Sequence, residues 1–138
     1  MMTAANHMSA DVRWNDAERF DGMATSRHAI KIDAGDEKTA NSPMELVLIG
    51  LCGCTASDVV SILRKKRQAF TALTVSGEAE RAAVPPRVFT AIRLKYRVAG
   101  KVEKKAMEDA VRLSKEKYCS VSAMLQKVAK ITFEIEYV

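Results

Sequence analysis

Apolar and polar positions alternate through much of the second half of the chain, and an unbroken apolar run marks its middle. Val88, Thr90, Ile92, Leu94, Tyr96 and Val98 alternate with Arg93, Lys95 and Arg97, which predicts one long strand with a wet face. Upstream, Leu73, Val75 and Gly77 alternate with Thr74 and Ser76, a second strand, and Pro85-Pro86 breaks the chain between the two. Residues 11–14 and 28–33 read as short strands, the latter with Ile30 and Ile32 on one side. A turn-rich stretch around Asp21-Gly22 separates them, and residues 35–41 read as a polar loop. The tail places Ile131, Phe133, Ile135 and Tyr137 on one face, a closing strand.

The helix signals fall between these strands. Ser42-Pro43-Met44-Glu45 offers a capping serine, a proline at the first helical position and a glutamate at the third. A helix is predicted over residues 43–66. Its first half, from Met44 through Cys54, is apolar around the whole circumference, and such a helix must be buried on every side. One small domain rarely covers all sides of a helix, so a homodimer with this helix inside is expected. Gly100 should end the long strand, and Val102, Ala106, Ala110 and Leu113 form the inner stripe of the next helix. That helix should break near Tyr118, with Ser120 capping a short helix to about residue 127. The order is strands, buried helix, two strands, two helices, strand: an α+β fold with an antiparallel sheet.

Composition narrows the classes. A chain of 138 residues fits one domain, expected over residues 11–138 behind a flexible lead-in at residues 1–10. The uncharged stretch 46–57 is too short to span a bilayer, and the N-terminus lacks the order of a signal peptide. A cytoplasmic protein without a membrane anchor is expected. The formal charge of +5 is spread over several segments, and residues 101–117 interleave it with acids, as on a solvated helix face. No aromatic platform or G-x-x-G loop accompanies the charge, so nucleic acid is not the expected partner.

Cys52, Cys54 and Cys119 are an odd count, unlike the framework of a stapled secreted domain. They are core residues, metal ligands or reactive thiols. On a helix Cys52 and Cys54 point about 200° apart, so they cannot share one zinc; neither His7 nor His28 stands at metal-ligand spacing, and no metal or cofactor is expected. Cys119 precedes a helix start, where unpaired N–H groups favour a thiolate and a lowered pKa. Cys54 lies about 16 Å along its helix, too far inside to feel that N-terminus. Asp58, one turn on, opposes its ionisation, so positive charge would have to come from outside the helix, as from an arginine. Free cysteine is also among the most buried residue types, which leaves the packing reading open for Cys52 and Cys54.

Three runs carry a resemblance: Ser42-Pro43-Met44-Glu45-Leu46, Gly50-Leu51-Cys52-Gly53-Cys54-Thr55 and Asp58-Val59-Val60-Ser61-Ile62-Leu63. With Tyr118-Cys119-Ser120-Val121-Ser122-Ala123 they resemble the OsmC/Ohr family, in wording closest to its YhfA-like branch. The resemblance runs in order from about residue 11 to the end. It implies an OsmC-like α+β fold: antiparallel sheets around a long buried central helix, in an intertwined homodimer with two sites at the subunit interface. It also implies a thiol-dependent peroxidase for organic hydroperoxides. The cysteine at the position of Cys54 becomes a sulfenic acid, and that at the position of Cys119 closes a disulfide with it. A dithiol of lipoyl type then restores both. For the family's supporting glutamate the candidate is Glu45, one position beyond the family's place; for its arginine the candidates are Arg19 and Arg27, although the closest local match puts Met23 there. Met44, however, stands directly after the proline, where the peroxidase branch has its glutamate. Cys52 is extra to the pattern and reads as packing. The rival reading is a dimeric binding protein with an apolar pocket for a small ligand and little or no turnover.

Overall fold

The computed structural model describes residues 6–138, in two compact units, Met1–Val47 and Leu48–Val138. Half of the expected lead-in, residues 1–5, lies outside the described residues. Ser9 is tied down: its N–H donates to Thr25 Oγ1 at 2.7 Å, and that hydroxyl donates back to the Ser9 carbonyl at 3.2 Å.

The first unit is an antiparallel sheet of β1 (Ala10–Asp16), β2 (Arg19–Ala24) and β3 (Ala29–Asp33), in that order. The turn expected at Asp21-Gly22 is instead the middle of β2. No apolar alternation announces this strand, because its outer face is held by charge: Asp21 accepts from Arg13 at 3.3 Å and from Lys31 at 3.2 Å across both neighbours. The opposite face is apolar, with Val12 opposite Gly22, Trp14 opposite Phe20, and Phe20 opposite Ile32. Beyond β3, Asp33 ties the loop into shape. Its carboxylate accepts from Thr39 Oγ1 at 2.6 Å, Thr39 N at 3.0 Å and Gly35 N at 2.8 Å. Those bonds, the Thr39 hydroxyl first, hold its pKa below the usual carboxylate value.

α1 (Pro43–Lys65) starts as its sequence predicts. Ser42 N donates to Glu45 Oε1 at 2.8 Å and Glu45 N donates to Ser42 Oγ at 3.2 Å, a reciprocal capping box. The expectation of burial on all sides does not hold within one chain: a single stripe, Leu51, Thr55, Val59 and Leu63, is buried. Ile49 remains 54% exposed. By length and composition the whole of α1, unlike the stretch 46–57, would also pass as a membrane span. The buried stripe contains a threonine bonded into the core beneath it, so the helix serves an α+β core.

The second unit is a sheet in the order β4 (Ala69–Arg81), β5 (Phe89–Lys101), β6 (Lys130–Tyr137). β4 and β5 are antiparallel, whereas β6 joins β5 in parallel. The two helices between β5 and β6 carry the chain back along the sheet, as a parallel pairing requires. Ile92, Leu94, Tyr96 and Val98 form the buried face of β5, as the alternation predicts. Gly100 does not end this strand but lies within it at φ +105°, where a Cβ would stand 2.5 Å from the Ala69 carbonyl oxygen. α2 (Lys104–Leu113) buries Ala106, Met107, Ala110 and Val111. A single π-helical turn, Ser114–Tyr118, follows, then α3 (Ser120–Leu125).

Candidate functional site

The spacing of α1 decides what each of its cysteines meets. Cys54 and Asp58 are half-buried, four residues apart on the flank of the buried stripe. Cys52, on another side, faces β4 at Gly77, where an added Cβ would lie 3.0 Å from Cys52 Sγ and 3.1 Å from Leu48 Cδ1. A Cβ there would be packed tightly, and the ends of the Cys52 and Leu48 side chains would have to give by a few tenths of an ångström. Burial raises the Cys52 pKa.

Cys119 sits in extended backbone (φ −75°, ψ 104°) between the π turn and α3. Its N–H donates to the Ser114 carbonyl at 2.8 Å, closing the five-residue π turn. Cys119 itself, rather than Ser120, caps α3: its Sγ accepts from Ser122 N at 3.3 Å. The residue is 3% exposed, and the Cys54 thiol is near enough to act on its ionisation. All three cysteines are free thiols.

The lowered pKa expected for Cys119 is overturned. Burial pushes its thiol up to about 11, the Ser122 N–H opposes this, and the Cys54 thiol and Asp58 carboxylate add to the rise. One N–H at the start of a six-residue helix does not offset the loss of water around a thiolate. Beside it, Ser122 Oγ is buried without a hydrogen-bond partner.

A chain of hydroxyls runs between the two segments. Thr55 Oγ1 is 2.6 Å from Tyr96 Oη and 2.8 Å from Ser114 Oγ, and Ser114 Oγ donates to Asp58 Oδ2 at 2.8 Å. Since the carboxylate only accepts, the order is fixed: Tyr96 donates to Thr55, Thr55 to Ser114, Ser114 to Asp58. Burial pushes the Tyr96 pKa up to about 12, keeping it a donor. Tyr96, Thr55 and Ser114 are not among the site residues that the sequence points to. A signal existed for two of them: Thr55 interrupts the Leu51, Val59, Leu63 stripe, and Ser114 continues the Ala106, Ala110 stripe, each a polar residue on an apolar line. Next to Asp58 opens a cleft of about 360 Å³ lined also by Ile62, Leu113, Tyr118, Lys65 and Lys66.

The other anticipated residues lie in the first unit. Glu45 is occupied by the capping box. Arg19 is held by Asp16 through two bonds of 3.0 Å and by Glu37 at 3.1 Å. Arg27 takes a left-handed backbone, φ +66°, in a turn where its N–H donates to the Ala24 carbonyl at 2.8 Å. Among the described residues no group of three or more His, Cys, Asp or Glu could hold a metal ion.

The OsmC-like protein family model matches residues 34–134. The chain is 44% identical over 132 residues to Protein YhfA of Escherichia coli (strain K12), across 95% of this chain and 98% of that one. Its structure is similar to that of a hypothetical protein from Aquifex aeolicus VF5, at TM-score 0.84 and 32% identity over 96% and 98% of the two chains. It is also similar to an organic hydroperoxide resistance protein OsmC from Legionella pneumophila, at TM-score 0.73 over 97% and 99%. With 17% identity, that likeness is one of fold. A family match over residues 34–134, close identity along nearly the whole chain and a shared α+β architecture agree with the motifs around Cys54 and Cys119: the chain belongs to the OsmC-like protein family.

Proposed function

We propose that the protein reduces organic hydroperoxides with Cys54 and Cys119 as a redox pair. The observation that carries this reading is a buried Cys119 whose thiol resists ionisation, in part through the nearby Cys54 thiol. A buried, protonated thiol is a poor first attacker, which leaves that role to Cys54 and the closing role to Cys119. The Cys54 thiolate attacks the outer peroxide oxygen, the O–O bond breaks, and the products are a sulfenic acid and an alcohol that takes up one proton. The Cys119 sulfur then attacks the Cys54 sulfur, the S–O bond breaks and water leaves. A dithiol, by exchange, restores both thiols and ends as its own cyclic disulfide. The cleft beside Asp58 mixes Ile62, Leu113 and Tyr118 with Ser61, Lys65 and Lys66 and is lined by neither cysteine, so the organic class of the peroxide rests on the family resemblance. Two similar structures are those of organic hydroperoxide resistance proteins, from Legionella pneumophila and Elizabethkingia anophelis.

On resemblance alone, Arg19 or Arg27 supplies the positive charge that favours the Cys54 thiolate, and Glu45 orients that arginine. The working form is a homodimer in the cytoplasm, where thiols stay reduced. Its basis is the apolar surface that one chain leaves bare: Val12 at 60% and Trp14 at 64% exposure on the first sheet, and Ile49 on α1.

The test is consumption of an organic hydroperoxide in the presence of a dithiol, together with trapping of sulfenic acid by a dimedone-type reagent. Cys119→Ser is expected to accumulate the adduct on Cys54, and Cys54→Ser to be inert. An adduct found on Cys119 and never on Cys54 reverses the roles. The capping role of Glu45 favours a second reading, a small-molecule-binding protein with little turnover. That reading takes over if neither cysteine reacts at low peroxide.

A further inference from the structure

Thr55 directly follows Cys54 on α1, and Ser114 opens the π turn that leads into Cys119. Two buried hydroxyls thus belong to the two cysteine-bearing segments, and they are bonded to each other at 2.8 Å. Ser114 is bonded twice more: its hydroxyl donates to Asp58 at 2.8 Å, and its carbonyl accepts the Cys119 N–H at 2.8 Å. Tyr96, from the middle of β5, completes the chain at 2.6 Å. Thr55, Ser114 and Tyr96 are buried where valine, alanine and phenylalanine would fill similar space. A buried hydroxyl costs desolvation that a hydrogen bond only offsets, so stability alone does not require these groups. What the bonds add over apolar packing is direction: they fix α1 and the π turn in one register.

We propose that the Tyr96–Thr55–Ser114–Asp58 chain is a positioning device that ties the Cys54 segment to the Cys119 segment and so sets how readily the two thiols close to a disulfide. The inference rests on the pairing of Cys54 with Cys119 proposed above. It concerns the closing step alone, in which the S–S bond forms as the sulfenic S–O bond breaks. The four residues are positioning residues and take no part in the peroxide chemistry; Asp58 also lines the neighbouring cleft.

The test uses glutathione redox buffers and no peroxide, in a Cys52→Ser background that leaves two thiols. The pair gives two electrons and two protons to one glutathione disulfide, which becomes two glutathione molecules. Thr55→Val removes the hydroxyl at nearly constant volume and is expected to lower the effective concentration of the pair about tenfold, or about 30 mV for this two-electron couple. Thr55→Ser keeps the hydroxyl and is expected to stay near the parent. Ser114→Ala should fall as Thr55→Val does, and decides the matter if Thr55→Val does not fold. An unchanged equilibrium in Thr55→Val and Ser114→Ala overturns the proposal. So does an equal loss in Thr55→Ser and Thr55→Val, which would assign the effect to side-chain packing at this position rather than to the hydroxyl. A protein inert to peroxide whose glutathione equilibrium still follows this pattern would sink the peroxidase reading and leave the positioning chain standing.

Discussion

Cys119 shows how burial and a helix start compete at one atom. Its pKa, pushed from an ordinary 9.0 up to about 11, means that the folded chain holds this proton more tightly than the unfolded chain does. The stability it contributes is therefore complete below the unfolded value and is lost as pH rises through the folded one. Following thiolate absorbance in Cys52→Ser/Cys54→Ser against pH should show a midpoint well above 9.0; one at or below that value would restore the activated Cys119 that the helix start suggests. Cys52 makes a different case, as a packing residue against Gly77. Gly77→Ala would crowd Cys52 Sγ and Leu48 Cδ1, and is expected to cost about 1 kcal/mol, the low end for overpacking, because only two side-chain ends must shift. Adding Cys52→Ala should recover part of that loss in denaturant unfolding, and strict additivity would show that the two do not touch.

At the scale of elements, α1 is anchored at its start by a capping box and pinned halfway by the hydroxyl chain. Ser42→Ala removes the acceptor for Glu45 N and should destabilise by about 1 kcal/mol. Glu45→Gln keeps the acceptor oxygen that Ser42 N needs, so it separates two roles. Unchanged stability with a large fall in peroxide turnover would give Glu45 a catalytic charge; unchanged turnover would leave it a cap. The loop before the helix depends on Asp33, whose depressed pKa means its contribution is present above the unfolded value of 3.8 and fades as pH falls through the folded one. In Asp33→Asn that acid-side loss should disappear from the stability profile, because no carboxylate remains to protonate.

For the whole molecule the question is what covers the apolar surface. In the first unit Val12, Trp14 and Ile30 share the apolar face of the sheet and are exposed, and that unit's three strands have no buried large apolar side chain among the described residues. A three-stranded sheet needs a covered hydrophobic face to be stable. A permanent dimer interface of over about 2,000 Å² would provide it. Sedimentation of the dilute protein should find dimer, and Trp14→Ser or Ile49→Asp should weaken it. A stable, folded monomer of the parent at low concentration would contradict the assembly.

The α1 capping box, the alternation along β5 and β6 and the cysteine motifs could be read from the sequence, because each is a local pattern with a fixed period or spacing. So could the family, since the runs around Cys54 and Cys119 sit within the matched residues 34–134. Strand β2 could not, because its order comes from cross-strand charge pairs, Arg13 and Lys31 to Asp21, rather than from its own alternation. Nor could the parallel placing of β6, which depends on how two helices return the chain. The protonation of Cys119 was beyond sequence for the same reason: its position at a helix start is local, but the burial that outweighs it comes from the packed core. Thr55, Tyr96 and Ser114 are bonded across separations of 41 and 59 residues, and only the packing of α1 against β5 and the π turn brought them within hydrogen-bonding distance.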